Sequence, residues 1–185
     1  MTYFSVDVET TGLVPFVHDV TALSVVEIMT EEHMTCQLTE PEGGWHWDPD
    51  TSVWAKHNIP ASVGLWPVFK PEIAVEGIAR LLSGFPKPWT FVAWPTSMDY
   101  PFMQSIYRRA GIAPTMNLMP FHYRTFDVKS FIAGRYNVPL DADRDTINKT
   151  VGFELWTEPA KEQAHDPFYD ALEQGRTTKR ALDGQ

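Results

Sequence analysis

Tyr3-Phe4-Ser5-Val6-Asp7-Val8-Glu9-Thr10-Thr11-Gly12-Leu13 decides how the rest of this 185-residue chain is read. The stretch predicts a strand that runs into a turn. Side chains of a strand alternate between faces, so Asp7 and Glu9 share one side while Phe4, Val6 and Val8 share the other. Two carboxylates so placed repel unless protons or metal ions neutralise them, and hard oxygen ligands suit Mg²⁺ or Mn²⁺. An isolated Asp-x-Glu is more often a polar pair on a solvated strand face. The turn that follows strengthens the metal reading, because Gly12 can take positive φ and let a ligand approach the backbone.

Working outward, Asp19 to Met29 carries a β-branched run, and Met34 to Leu38 is suited to pair with it, giving three antiparallel strands in succession. Thr39 to Asp50 reads as a loop, with a short helical piece at Ser52 to His57. Pro71 opens a helix to Leu82. Thr90 to Trp94 is a buried strand, and Ser97 is the expected cap of a helix from Met98 to Arg109. Arg124 to Val128 is a weaker strand leading into a helical stretch, and Asp141 to Thr150 is helical. Asp166-Pro167 starts a last helix reaching about Leu182. Antiparallel strands first, then alternating strands and helices, predict an α/β fold: a mixed five-stranded sheet flanked by helices, in one domain over 1–185.

Composition narrows the function classes. Hydrophobic residues make up 43% of the chain, enough for a buried core. The formal charge of −9 argues against a protein that coats long nucleic acid by electrostatics alone. The imbalance is local, with Lys56 the one basic residue up to Phe69 against ten acids, and fourteen of each sign from Lys70 onward. Contacts to phosphate are therefore expected from the later part. Cys36 stands alone, which leaves no internal disulfide and no Cys-rich zinc site. No apolar run reaches the roughly 18 residues of a membrane span, so no membrane partner and a cytoplasmic location are expected.

Acids recur at element ends: Asp7 and Glu9 on the first strand, Asp99 at a helix start after a strand, Asp170 in the first turns of the last helix. His165 stands just outside that helix. Imidazole is the usual general base for activating water. His18, His33, His46, His57 and His122 have no such company and read as structural or solvated.

Asp7-x-Glu9 with Thr10-Thr11-Gly12-Leu13, then Asp99, then His165 five residues before Asp170-Ala171, resembles the DEDDh branch of the DnaQ-like 3′–5′ exonucleases over nearly the whole chain. The resemblance implies a ribonuclease H-like sheet, with Asp7, Glu9, Asp99 and Asp170 holding two divalent ions, Mg²⁺ or Mn²⁺. It implies that His165 is the base for the water that attacks the terminal phosphodiester. It further implies that Thr10, Thr11 and Gly12 hold the terminal nucleotide by hydroxyl or backbone contacts, with Leu13 wedged against the base. Relatives often carry His-Asn in the second motif, where this chain has Trp94-Pro95-Thr96-Ser97-Met98-Asp99. That version, with Arg124-Thr125-Phe126-Asp127 downstream, is more similar to the exoribonuclease-like branch than to polymerase proofreading subunits.

The activity expected from these residues is removal of nucleoside 5′-monophosphates from the 3′ end of single-stranded RNA, or DNA, with a homodimer as a common arrangement among relatives. The alternative is a catalytically weak module that binds nucleic-acid ends or a protein and keeps the exonuclease fold. The tryptophans can stack on bases, but most read as core or sheet-covering residues; Trp54 or Trp66, in an irregular region near the acids, is the one to test first for stacking. Arg176, Lys179 and Arg180 are candidates for phosphate contacts or a solvated helix face.

Overall fold

In the computed structural model, which describes residues 1–112, 119–121, 124–157 and 163–184, the opening stretch is β1 (Thr2–Thr10). β2 (Val20–Glu27) and β3 (His33–Leu38) follow it as an antiparallel meander. β5 (Trp89–Ala93) lies parallel to β1 on its other side, and β6 (Phe126–Asp127) parallel to β5. A sixth strand, β4 (Val68–Phe69), pairs parallel with β3, so the order is β4-β3-β2-β1-β5-β6. The sheet is mixed as expected, with six strands among the described residues rather than five. Two residues are too few to display an alternating pattern, and β4 serves to cover the β3 edge.

Among the described residues, six α-helices flank the sheet: α1 (Pro49–Asn58), α2 (Pro71–Ser83), α3 (Thr96–Arg109), α4 (Val128–Tyr136), α5 (Arg144–Val151) and α6 (Pro167–Asp183). Phe4 and Val6 of β1 are fully buried in a core with Ile78 and Leu82 of α2 and Phe102, Met103 and Ile106 of α3. Each such large apolar side chain contributes roughly 1.5–3 kcal/mol by leaving water. Ser5, on the opposite face of β1, meets α6, where the Gln174 amide donates to Ser5 Oγ (2.7 Å) and to the carbonyls of Val6 (3.1 Å) and Val92 (3.3 Å). The alternation read from the first stretch thus separates the apolar core from the face that carries Asp7 and Glu9.

The start of α3 differs from expectation. α3 starts at Thr96, and its cap is not Ser97: the Thr96 N–H donates to Asp127 Oδ2 at 2.9 Å. Asp127 Oδ1 accepts from Ser130 N at 2.7 Å and so caps α4 as well. One carboxylate at the end of β6 closes the start of two helices; the cap on α4 is local, and only the reach to α3 is concealed by sequence spacing. Among the described residues, no helix is long and apolar enough to cross a membrane. His122 lies outside the described residues.

Candidate active site

β1 and β5 run parallel, so their carboxyl ends lie side by side. β1 carries Asp7 and Glu9 there, and its register with β2 shifts between Glu9 and Thr10. Such an irregularity re-aims side chains at the end of a strand. Past β5 the chain turns through Trp94 and Pro95 into α3, which puts the buried Asp99 in the first helical turn. α6 comes in from the other face with Asp170 in its own first turn.

Several contacts fix the start of α6. The fully buried Asp166 caps the helix at Phe168 N (3.1 Å) and accepts from Ser62 Oγ (2.7 Å) and Trp66 Nε1 (3.1 Å). Further along, a Cβ on Gly175 would stand 3.3 Å from Ile28 Cγ2 and 3.4 Å from Ser5 Cβ, so the helix lies close on the sheet.

The resulting geometry gathers the acids. Ligand atoms of Glu9, His165 and Asp170 lie within 4.8 Å of one another. Desolvation holds the Asp7 carboxyl well above the ordinary range, reinforced by the charges of Asp99, Glu9, Asp170 and Asp166. Glu9 is pushed to about 8 by burial and then by Asp170, Asp99 and Asp166. Burial raises Asp99 to about 7, against the pull of hydrogen bonds from the backbone of Val8 and of Asp99 itself. Asp170 is also raised by burial, with His165 drawing it back. Burial raises the proton affinity of all four carboxylates, and a divalent cation bound there would compete with those protons.

His165 sits beside them in a left-handed conformation (φ 63°) that costs a non-glycine residue roughly 1–3 kcal/mol. Its backbone N–H donates to Asp170 Oδ2 at 3.0 Å. Trp54 of α1 stands edge-on to the imidazole, ring centroids 4.7 Å apart. Leu13, 73% exposed, and Trp54, 41% exposed, face a hollow of about 410 Å³ together with Val8, Glu9, Thr10 and Met98.

The turn after β1 is built differently from expectation. Thr11 is fully buried, and its hydroxyl donates to the His46 carbonyl (2.6 Å) while accepting from Asp19 N (2.8 Å). Its backbone N–H and carbonyl are taken by Asp19 and Asp48. Thr11 therefore anchors the 39–48 loop and has no polar group left for a nucleotide. The Thr10 hydroxyl donates to the Gly12 carbonyl at 2.8 Å. Gly12 does not adopt positive φ; it is needed because a Cβ there would stand 2.4 Å from Nδ1 of His18.

Trp66 is corrected too, from stacking surface to scaffold, since it donates to Asp166 and packs on Phe168. Arg176 pairs with Glu31 (2.8 Å) and Arg180 with Glu173 (2.8 Å), so both belong to the fold.

Sequence reading missed the opposite wall. A second hollow, about 320 Å³, is faced by Asp7, Trp94, Arg144, Trp156, His165 and Asp170. Arg144 and Trp156 join it because Asn148 clasps the Trp156 backbone in both directions (2.8 and 2.9 Å). No local pattern announces that clasp.

No protein-family model matches the sequence, and no curated protein matches it significantly. Solved structures do match. The nuclease domain of 3′hExo, a DEDDh family member bound to rAMP, has a TM-score of 0.66 at 15% identity, covering 99% of this chain and 92% of that one. E. coli ExoI in complex with ssDNA, in its zinc-bound form, has a TM-score of 0.63 at 14% identity, covering 98% of this chain and 42% of its own. S. pombe Pop2p in its Mg²⁺- and Mn²⁺-bound form has a TM-score of 0.59 at 12% identity, covering 99% and 85%. This chain thus spans most of two of these and less than half of ExoI. At such identities the likeness is one of fold: the ribonuclease H-like fold of DEDDh 3′–5′ exonucleases.

Proposed function

We propose that this protein is a metal-dependent exonuclease that removes nucleoside 5′-monophosphates from the 3′ end of single-stranded nucleic acid, with RNA the preferred substrate. The observation that carries the proposal is the meeting of Asp7, Glu9, Asp99 and Asp170 with His165 at the carboxyl ends of β1 and β5.

The donor set fits hard divalent cations: oxygen ligands from four carboxylates, in a field that already raises their proton affinity. Asp7, Glu9, Asp99 and Asp170 would hold two such ions, Mg²⁺ or Mn²⁺, which when bound supply charge neutralisation at the attacked phosphate and its leaving oxygen.

The chain's own residues do the rest. His165 takes the proton of the attacking water, with its backbone tie to Asp170 keeping the ring at the carboxylate centre. Leu13 and Trp54 present apolar surface to the base of the terminal nucleotide, since every base offers a π-face. Support for the substrate class comes from the neighbours, one bound to rAMP and one to ssDNA. The preference for RNA rests on the Trp94 version of the second motif, which resembles the exoribonuclease-like branch.

The test uses 5′-labelled RNA and DNA oligonucleotides of matched sequence with Mn²⁺ or Mg²⁺. A ladder shortened from the 3′ end, abolished in Asp7→Ala, is expected, with RNA cleaved faster. Substrate left intact with every divalent ion, while affinity for the oligonucleotide persists, would favour the alternative of an end-binding module without turnover.

A further inference from the structure

The hollow that receives the terminal base has an uneven supply of hydrogen-bonding groups. Two carboxylates face it, Glu9 and Asp50, and two hydroxyls, Thr10 and Thr51. Glu9 belongs to the carboxylate centre, which leaves the other three to meet a ligand. The Thr10 hydroxyl donates to the Gly12 carbonyl (2.8 Å) and the Thr51 hydroxyl to Asp48 Oδ1 (3.0 Å), so each has committed its one hydrogen and presents lone pairs alone. An ionised carboxylate likewise accepts and does not donate. Among the described residues that face the hollow, Glu9 set aside, the indole N–H of Trp54 is the one side-chain donor left. A ligand seated here is therefore read through its own donors.

Asp50 is the group free to read them. It is exposed in the first turn of α1, and its carboxylate has no hydrogen bond or ion pair with any other described residue. The cap of α1 is made without it, since Asp48 takes both the N–H and the hydroxyl of Thr51 (2.9 and 3.0 Å). Trp54 follows Asp50 by four positions on the same helix, so the two side chains share a face, one turn or about 5.4 Å apart along the axis. That face presents a ring for the plane of a base and a carboxylate for its edge. Cytosine, adenine and guanine carry amino groups on their edges, whereas uracil has an oxygen where cytosine has its amino group. A uracil so placed sets acceptor against acceptor, a repulsive element of the kind that specificity needs.

We propose that Asp50 selects the 3′-terminal base of the substrate by accepting from its amino group, so that ends in cytosine, adenine or guanine are favoured and ends in uracil are rejected. This inference rests on the exonuclease reading for the placement of the base.

The test uses pairs of oligonucleotides whose terminal bases match in ring size, so that stacking is held constant: cytosine against uracil, and guanine against hypoxanthine, which lacks only the 2-amino group. With Mn²⁺ and the full protein, kcat/KM for removal of the first nucleotide should favour cytosine over uracil about tenfold or more, the effect of one hydrogen bond to a charged acceptor, and guanine over hypoxanthine by a similar factor. Asp50→Ala should bring both ratios close to one. Asp50→Asn should do the same for cytosine and uracil, because a carboxamide donates to the uracil oxygen as readily as it accepts from the cytosine amino group. Thermal melting checks that both variants fold. Calorimetric binding of CMP and UMP with Mn²⁺ reads the same preference without turnover. Wild-type ratios near one, or ratios that both variants leave unmoved, overturn the inference, and cleavage in the same assay leaves the exonuclease reading standing. A lowered Tm with unmoved ratios overturns it as well, since Asp50 would then serve only the dipole of α1. If no oligonucleotide is cleaved but CMP binds more tightly than UMP in wild type and equally in Asp50→Ala, the exonuclease reading fails and the base selection stands.

Discussion

The indole of Trp54 stands edge-on to the imidazole of His165, ring centroids 4.7 Å apart and planes at 79°. One comes from an outer helix of which only Ala55 is buried, the other from the connection ahead of α6. They meet beside the carboxylates, which gives the two rings separable duties.

Replacing them should therefore affect different kinetic constants. Trp54→Ala removes stacking surface worth about 1–3 kcal/mol per base, so KM should rise about tenfold or more with a smaller change in kcat. His165→Ala removes the base and should lower kcat by about 10²–10⁴ with KM little changed. Steady-state kinetics on one labelled oligonucleotide distinguish these. A Trp54→Ala enzyme that loses only kcat would mean that the indole orients the imidazole rather than the substrate.

Removal of metal should make stability depend on pH in an unusual direction. Glu9 and Asp99 are raised to about 8 and about 7, and Asp7 is raised well above its ordinary value, by burial first and by one another second. Between about pH 4 and 8 the folded state then binds more protons than the unfolded chain, so their contribution is complete below the ordinary carboxylate pKa and is lost as pH rises through the folded values. The Tm in EDTA should fall from pH 5 to pH 8, and the rise in Tm on adding Mn²⁺ should be larger at pH 8. Glu9→Gln should flatten the EDTA profile. A Tm that climbs over this range in EDTA would contradict the crowding of carboxylates described above.

A third prediction concerns the anchor of α6. Asp166 accepts from Ser62 and Trp66, residues about a hundred positions earlier in the chain. Trp66→Phe keeps the packing on Phe168 and loses the N–H, so it should cost about 1.5–3 kcal/mol, the price of one hydrogen bond to a charged group. For a chain of this size the Tm should drop by roughly 3–12 °C. Because His165 precedes Asp166 directly, kcat should fall as well. Thermal melting and a single-turnover assay on the same preparation settle both points.

How much of this was legible in the sequence follows from what each feature depends on. Asp7 and Glu9 could be placed because a strand has a period of two, and Asp170 because Asp166-Pro167 marks a helix start; both are local rules. The approach of Asp99 follows from the parallel pairing of β1 and β5, which the element order implied. Arg144 and Trp156 stayed hidden because their place depends on Asn148, and on Glu173 and Arg180 of α6, which hold Thr157 N and the Leu155 carbonyl. The cap of α3 was misread for the same reason, its acceptor lying 31 residues ahead on β6. β4 is two residues long and carries no pattern of its own.

Gly12 offers the sharpest check on the turn after β1, because its requirement is a neighbour and not a backbone angle. A Cβ there would stand 2.4–2.6 Å from three atoms of the His18 ring. That ring is not free to swing away, since its Nδ1 accepts from Val14 N at 3.1 Å. Gly12→Ala must therefore displace either the imidazole or the segment that carries Leu13, and overpacking of this kind costs about 1–3 kcal/mol. With Leu13 moved, KM for the oligonucleotide should rise severalfold while binding of Mn²⁺ is retained. His18→Ala gives up one hydrogen bond, about 0.5–1.5 kcal/mol, and opens the space. The double variant Gly12→Ala/His18→Ala should then recover stability and KM relative to Gly12→Ala alone, a coupling of opposite sign to simple addition. Equal and additive losses would show that the glycine serves the backbone after all, and that the contact with His18 is incidental.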